Sequence, residues 1–229
     1  MVGLNLFLWP MLVPMIIPLV YSMKYKRDAL FEIGAIITAL MLIVFLYWPL
    51  LASNFLYSYT YVGTKVLLFV VLPLVALLSI KHNFSPLQGS NYGIQKKSMK
   101  KSMVWCILFL PFMFIVTGLI QYAYGITWSA DLAAGIISFF EAFTEEFLFR
   151  GILFILLLRK TNMKIAYVTS LMSFLLMHPQ NLLTIFTIGT LVQGILTLEI
   201  ARRSQNIIGS CVLHGSNRFF TLVLLPLLL

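Results

Sequence analysis

Eight apolar stretches run through the chain and constrain its fold more than any other feature. They lie at approximately Leu4–Met23, Phe31–Ala52, Val62–Ile80, Met103–Tyr122, Leu132–Leu158, Ile165–His178, Leu182–Ile200 and Ile207–Leu228. Hydrocarbon offers no partner to a backbone N–H or C=O, so stretches of this length must satisfy their own as helices. With 61% hydrophobic and 10% charged residues, a soluble domain is excluded. The expected fold is all-α: a polytopic transmembrane helical bundle of about eight spans, forming a single integral membrane domain over residues 1–229. Pro10, Pro14 and Pro18 predict a kink in the first span. The sixth span is short and stops at His178-Pro179, because proline disfavours a helical residue before it.

The formal charge of +9 is distributed in a way that argues against nucleic acid as a partner. Thirteen of the sixteen Lys and Arg lie in odd-numbered connections: Lys24, Lys26, Arg27; Lys81, Lys96, Lys97, Lys100, Lys101; Arg159, Lys160, Lys164; Arg202 and Arg203. The even connections, Ser53–Tyr61, Gln121–Asp131 and Pro179–Asn181, hold none. The positive-inside rule then puts the odd loops in the cytoplasm and both termini outside. The connection Lys81–Ser102, with five lysines, is a candidate contact for anionic membrane lipids, or equally a plain solvated loop. Cys106 and Cys211 fall inside predicted spans, which argues against a disulfide framework. The first apolar stretch has no basic region ahead of it, so a cleavable signal is not expected.

Charge inside a span is the next constraint. The segment Glu141-Ala-Phe-Thr-Glu-Glu-Phe-Leu-Phe-Arg150 puts three carboxylates and one guanidinium into the fifth apolar stretch. A charge at the bilayer centre costs about 2.5–3.5 kcal/mol on insertion scales, so it must be paired or face a polar cavity. Glu146 and Arg150 stand at i,i+4 and can neutralise each other. Glu141 and Glu145 share that spacing, where helical geometry gives repulsion. Glu145 is therefore expected to be a buried carboxylate without a local counter-charge, a setting that suits a general base. The plainer reading is that these charges join helices or line an ion path.

Two further polar positions follow, His178 at the end of Phe174-Leu-Leu-Met-His178 and His214 in His214-Gly-Ser-Asn217-Arg218. At 1.5 Å per helical residue, Glu145 lies about 21 Å from Arg159, His178 about 21 Å from Lys164 and His214 about 17 Å from Arg203. Three polar groups on three helices thus arrive at one level, which points to a shared site.

Glu145-Glu146-x-x-x-Arg150, then Phe174-x-x-x-His178, then His214 with a nearby Asn resembles the CPBP family of intramembrane proteases. That family comprises the CAAX prenyl proteases and bacteriocin-processing enzymes, often labelled Abi. The resemblance covers about residues 132–221. It implies hydrolysis of a peptide bond in a membrane-associated or lipidated peptide or protein, and location in the plasma membrane of a bacterium. On the family's pattern Glu145 activates water, His178 holds that water, and His214 with Asn217 stabilises the oxyanion, while Glu146, Arg150 and Phe174 support the site. The third motif departs from the common pattern, in which Asn stands four residues after the histidine. That position here is Arg218, leaving Asn217 to substitute, Arg218 to take part, or the activity altered. Glu145, His178 and His214 also make a His₂Glu set of zinc-ligand type, and a metal-free glutamate-activated water fits the same residues. Two other classes remain open: a non-catalytic member serving as scaffold or bacteriocin self-immunity factor, and an ion-coupled transporter with Glu145 and the histidines as proton relay.

Overall fold

The computed structural model describes residues 6–51, 58–80, 86–125 and 128–228. Parts of the connections around Ser53, Lys81–Ser85 and Ile126 therefore lie outside the described residues. Each apolar stretch forms a helix: α1 (6–25), α2 (Arg27–Leu51), α3 (Tyr59–Leu78), α4 (Met99–Tyr124), α5 (132–160), α6 (Met163–Leu176), α7 (Phe186–Ser204) and α8 (Ile208–Leu228). Among the described residues there is no strand. Four of the helices, α2, α3, α4 and α8, are long and apolar enough to cross a bilayer. With 14 residues α6 is too short for that, and α5 carries the four charges. The chain is an integral membrane protein.

Local sequence accounts for the helix ends. Ser58, Asp131 and Asn162 cap α3, α5 and α6, accepting from the backbone N–H three residues on at 3.1, 2.9 and 3.1 Å. The proline-rich start of α1 winds as a 3₁₀ helix over Leu6–Met15 before continuing as α-helix over Ile16–Tyr25. Pro10 and Pro14 remove donors from the ladder there, and Pro18 sits in the first α turn, where no donor is needed. Gly93, at φ +76, ends the turn after Tyr92 and lies against Ile155 and Ile207, so only glycine fits. Tyr92 is buried beside Phe147 and donates to the Pro86 carbonyl at 2.7 Å; burial pushes its hydroxyl up to about 12.

The second half of α5 is the axis of the bundle. Every residue from Thr144 to Leu157 is buried, charged and apolar alike, so protein surrounds this half of the helix on all sides. By contrast α4 exposes Ile107, Leu108, Phe112, Ile115, Leu119 and Tyr122, a lipid-facing stripe at helical spacing. Helix α8 packs closely against both α5 and α4 through glycines. Gly215 lies under Phe139, Gly135 under Val223, and Gly209 touches Ser102, whose hydroxyl accepts the Gly209 N–H at 2.9 Å. Small residues let helices approach closely where lipid supplies no hydrophobic drive between them. That approach sets Glu145 and Glu146 beside His214 and Arg218.

Candidate active site

Three helices bring charge to one place, and each changes winding there. Lys65 on α3, Glu145 and Glu146 on α5, and Arg218 on α8 each stand one or two residues before a π-helical segment: Leu67–Val71, Phe147–Leu156 and Phe220–Leu224. A π turn holds an extra residue per turn and re-aims the side chains around it, and such turns recur at functional sites.

Glu145 is 1% exposed. Its Oε1 accepts from Lys65 Nζ at 2.5 Å and from Arg218 Nη2 at 3.3 Å. Glu141 accepts from Lys65 Nζ at 2.6 Å and from the Tyr61 hydroxyl at 3.2 Å through Oε1, and from Arg218 Nη1 at 2.5 Å through Oε2. Glu145 has no ion-pair partner on its own helix, as its spacing implied, and takes its counter-charge from α3 and α8. Two cations stand against it, and the repulsion between Glu141 and Glu145 is relieved because Lys65 bridges them. Both cations come from other helices, where spacing along α5 cannot reveal them. The signal was present nonetheless: Lys65, Arg150 and Arg218 are the three basic residues that the loops do not hold. A lysine within an apolar span demands a partner.

The other side of Glu145 is different. Its Oε2 is buried, has no hydrogen-bond partner, and lies 3.9 Å from Nε2 of His178 and 3.9 Å from Nε2 of His214. The hydrogen bonds of the two rings set their tautomers. His178 Nδ1 faces the Phe174 carbonyl at 2.9 Å and must donate to it, leaving Nε2 as an acceptor in the neutral ring. His214 Nδ1 lies 2.9 Å from Glu146 Oε1, and its Nε2 accepts from Arg218 Nε at 3.1 Å. The structure thus brings Glu145, His178 and His214 together, as their common depth implied.

Glu146 and Arg150 form the expected pair, with Nε 3.1 Å from Oε2 and both side chains fully buried. The guanidinium also donates to Thr197 Oγ1 and to the Gly194 carbonyl, and it lies over the Phe174 ring at 4.2 Å. Phe174 in turn touches both histidine rings, at centroid distances of 4.9 and 6.3 Å. Asn217 is held on the neighbouring face, where Oδ1 accepts from Thr117 at 2.7 Å and Nδ2 donates to Gln193 at 3.0 Å.

Two cavities flank the cluster. The larger, about 640 Å³, is lined by Leu8, Tyr47, Trp48 and Met177 together with Lys65, Glu141, Glu145, His178 and Arg218. The smaller, about 170 Å³, is lined by polar residues including Thr117, Gln193 and Asn217. His178 and Arg218 border both. The His₂Glu set does not suit a zinc ion as arranged: the His214 Nε2 lone pair is taken by Arg218, and two cations sit on Glu145. Among the described residues no group of three His, Cys, Asp or Glu is arranged to hold a metal.

Residues 105–220 match the family model for the type II CAAX prenyl endopeptidase Rce1-like proteins. The chain belongs to that family. No curated protein and no solved structure matches it. The match begins within α4 and takes in Glu145, Glu146, Arg150, Phe174, His178, His214 and Asn217, together with Arg218. Tyr61 and Lys65 lie ahead of it, so half of the counter-charge on Glu145 comes from the part of the chain that the family model does not cover.

Proposed function

We propose that this family member hydrolyses a peptide bond in a membrane-associated or lipidated peptide or protein, with Glu145 as the base that activates water. One observation carries the reading. A buried carboxylate oxygen without a hydrogen-bond partner faces two imidazole nitrogens at 3.9 Å on the wall of a large cavity. Glu145 Oε2 and His178 Nε2 are both acceptors, so a molecule with two hydrogens to give, such as water, satisfies both at once. Paired with Lys65, Glu145 is present as a carboxylate and can take one of those hydrogens as the oxygen attacks. His178 orients the water and relays the proton towards the leaving nitrogen.

The developing oxyanion needs a donor aimed at it. Arg218 borders both cavities and projects its guanidinium beside Glu145, which places it better for this task than Asn217, engaged with Thr117 and Gln193. The apolar lining of the large cavity takes the lipid or apolar side chains of the substrate, and the smaller, more polar cavity takes backbone on the other side of the scissile bond. No metal is needed in this scheme. Arg218 also carries the second reading, a non-catalytic member, because its bond to His214 Nε2 occupies a group that the reaction would use.

Purified protein incubated with a peptide panel decides between them. The wild type should cleave, with and without a chelator, and Glu145→Gln should not. Equal cleavage by normally folded Glu145→Gln protein would end the proposal, and reversible loss with chelator would replace the free water by a metal-bound one.

A further inference from the structure

Both cavities are built from one end of the bundle. Successive helices run antiparallel, so the starts of odd helices and the ends of even ones share a face. Leu8 lies near the start of α1, Trp48 near the end of α2, Tyr61 in the first turn of α3, and His178 and Gln180 just past the end of α6. The smaller cavity repeats the pattern, with Gln121 near the end of α4 and Phe186 at the start of α7. The length of α6 explains the opening. Its 14 residues reach about 21 Å, some 9 Å less than a typical hydrocarbon core, so the chain turns at His178 within the depth of the bundle.

Among the described residues the opposite end is basic and tied together by polar contacts. Lys160 pairs with Glu32, Arg159 donates to Asn91 and to the Ser90 carbonyl, Asn206 donates to the Gln95 carbonyl at 2.6 Å, and Arg203 lies over Trp105 at 4.3 Å. All the loop Lys and Arg among the described residues gather at this end. Such a collar marks the cytoplasmic side.

We propose that the site opens to the extracytoplasmic side of the membrane, and that its substrate is a peptide or lipidated peptide presented from the outer leaflet. The substrate clause rests on the protease reading; the sidedness does not. A translocation reaction must then supply the substrate, because the cavities that reach Glu145 lie at the end away from the basic loops.

Sidedness is read by a membrane-impermeant maleimide on cells expressing the full chain. Cys106 and Cys211 are buried and give little background. Gln180→Cys places a thiol on an exposed position of the cavity wall, Tyr59→Cys on the same face at 86% exposure, and Lys97→Cys on the basic end. Gln180→Cys and Tyr59→Cys should label fully in intact cells, and Lys97→Cys only after permeabilisation. The reverse pattern, or all three labelling from one side, overturns the proposal while leaving hydrolysis untouched. Tyr59→Cys reads the side independently if Gln180→Cys does not accumulate. Protein that labels as expected but cleaves no peptide loses the substrate clause alone.

Discussion

Glu145 and Glu146 are chain neighbours and equally buried, yet they meet opposite surroundings. Glu146 is closed in by Arg150, one turn along its own helix, and by His214, and it faces neither cavity. Glu145 takes its counter-charge from Lys65, 80 residues earlier, and Arg218, 73 residues later, and keeps one oxygen towards the histidines and the large cavity. A single step along a helix turns a side chain by about 100°, enough to separate a closed pair from a cavity wall. Membrane burial therefore does not by itself say what a carboxylate does. The direction from which its counter-charge arrives does.

The largest expected effect tests the open side of that comparison. Glu145→Gln should lower turnover by about 10²–10⁴-fold, the usual scale for losing a general base. Its accumulation in the membrane should stay near wild type, because Glu141 still holds Lys65 and Arg218. Collapse of accumulation would show that Glu145 is structural after all.

On the closed side, Arg150→Met or Glu146→Gln strands a buried charge and should cost about 3–5 kcal/mol of stability. Thermal unfolding in detergent and the amount of membrane-inserted protein measure this. Either variant accumulating normally with only its turnover reduced would move the pair into the chemistry. Phe174 touches both sides, lying under Arg150 and against both histidines. Phe174→Leu should cost about 1–2 kcal/mol, the scale of a desolvated cation–π contact, and reduce turnover as well. A change in one readout without the other would show that the two halves are uncoupled there. The smallest effect belongs to Arg203→Gln at the basic end. Its partner Glu199 retains Arg202, and Arg203 is 40% exposed, so the loss should stay below about 1 kcal/mol with turnover unchanged.

Much of this was legible in the residues alone. Eight apolar stretches became eight helices within a few residues of their expected ends, because hydrocarbon leaves the backbone little choice and local caps such as Asp131 and Asn162 mark the starts. Span number was less legible: apolar length cannot tell a lipid-facing helix such as α4 from a helix surrounded by protein, as α5 is between Thr144 and Leu157. The meeting of Glu145, His178 and His214 could be anticipated from helical rise, since depth is proportional to residue count.

By itself, then, the sequence determined the helices, the alternation of basic ends, the Glu146–Arg150 pair and the level at which the polar residues collect. These are local or one-dimensional properties, set by spacing along a helix and by the solvent on each side. Only the tertiary structure decided what stands opposite Glu145, that Lys65 and Arg218 bridge two carboxylates, that Asn217 turns to Gln193 and Thr117, and that both cavities lie at the end away from the basic loops. Those outcomes depend on the rotation of one helix against another, fixed here by glycines at α5 and α8 and by π turns beside the charges. Such rotations follow from packing across the bundle, which no periodicity along the chain expresses.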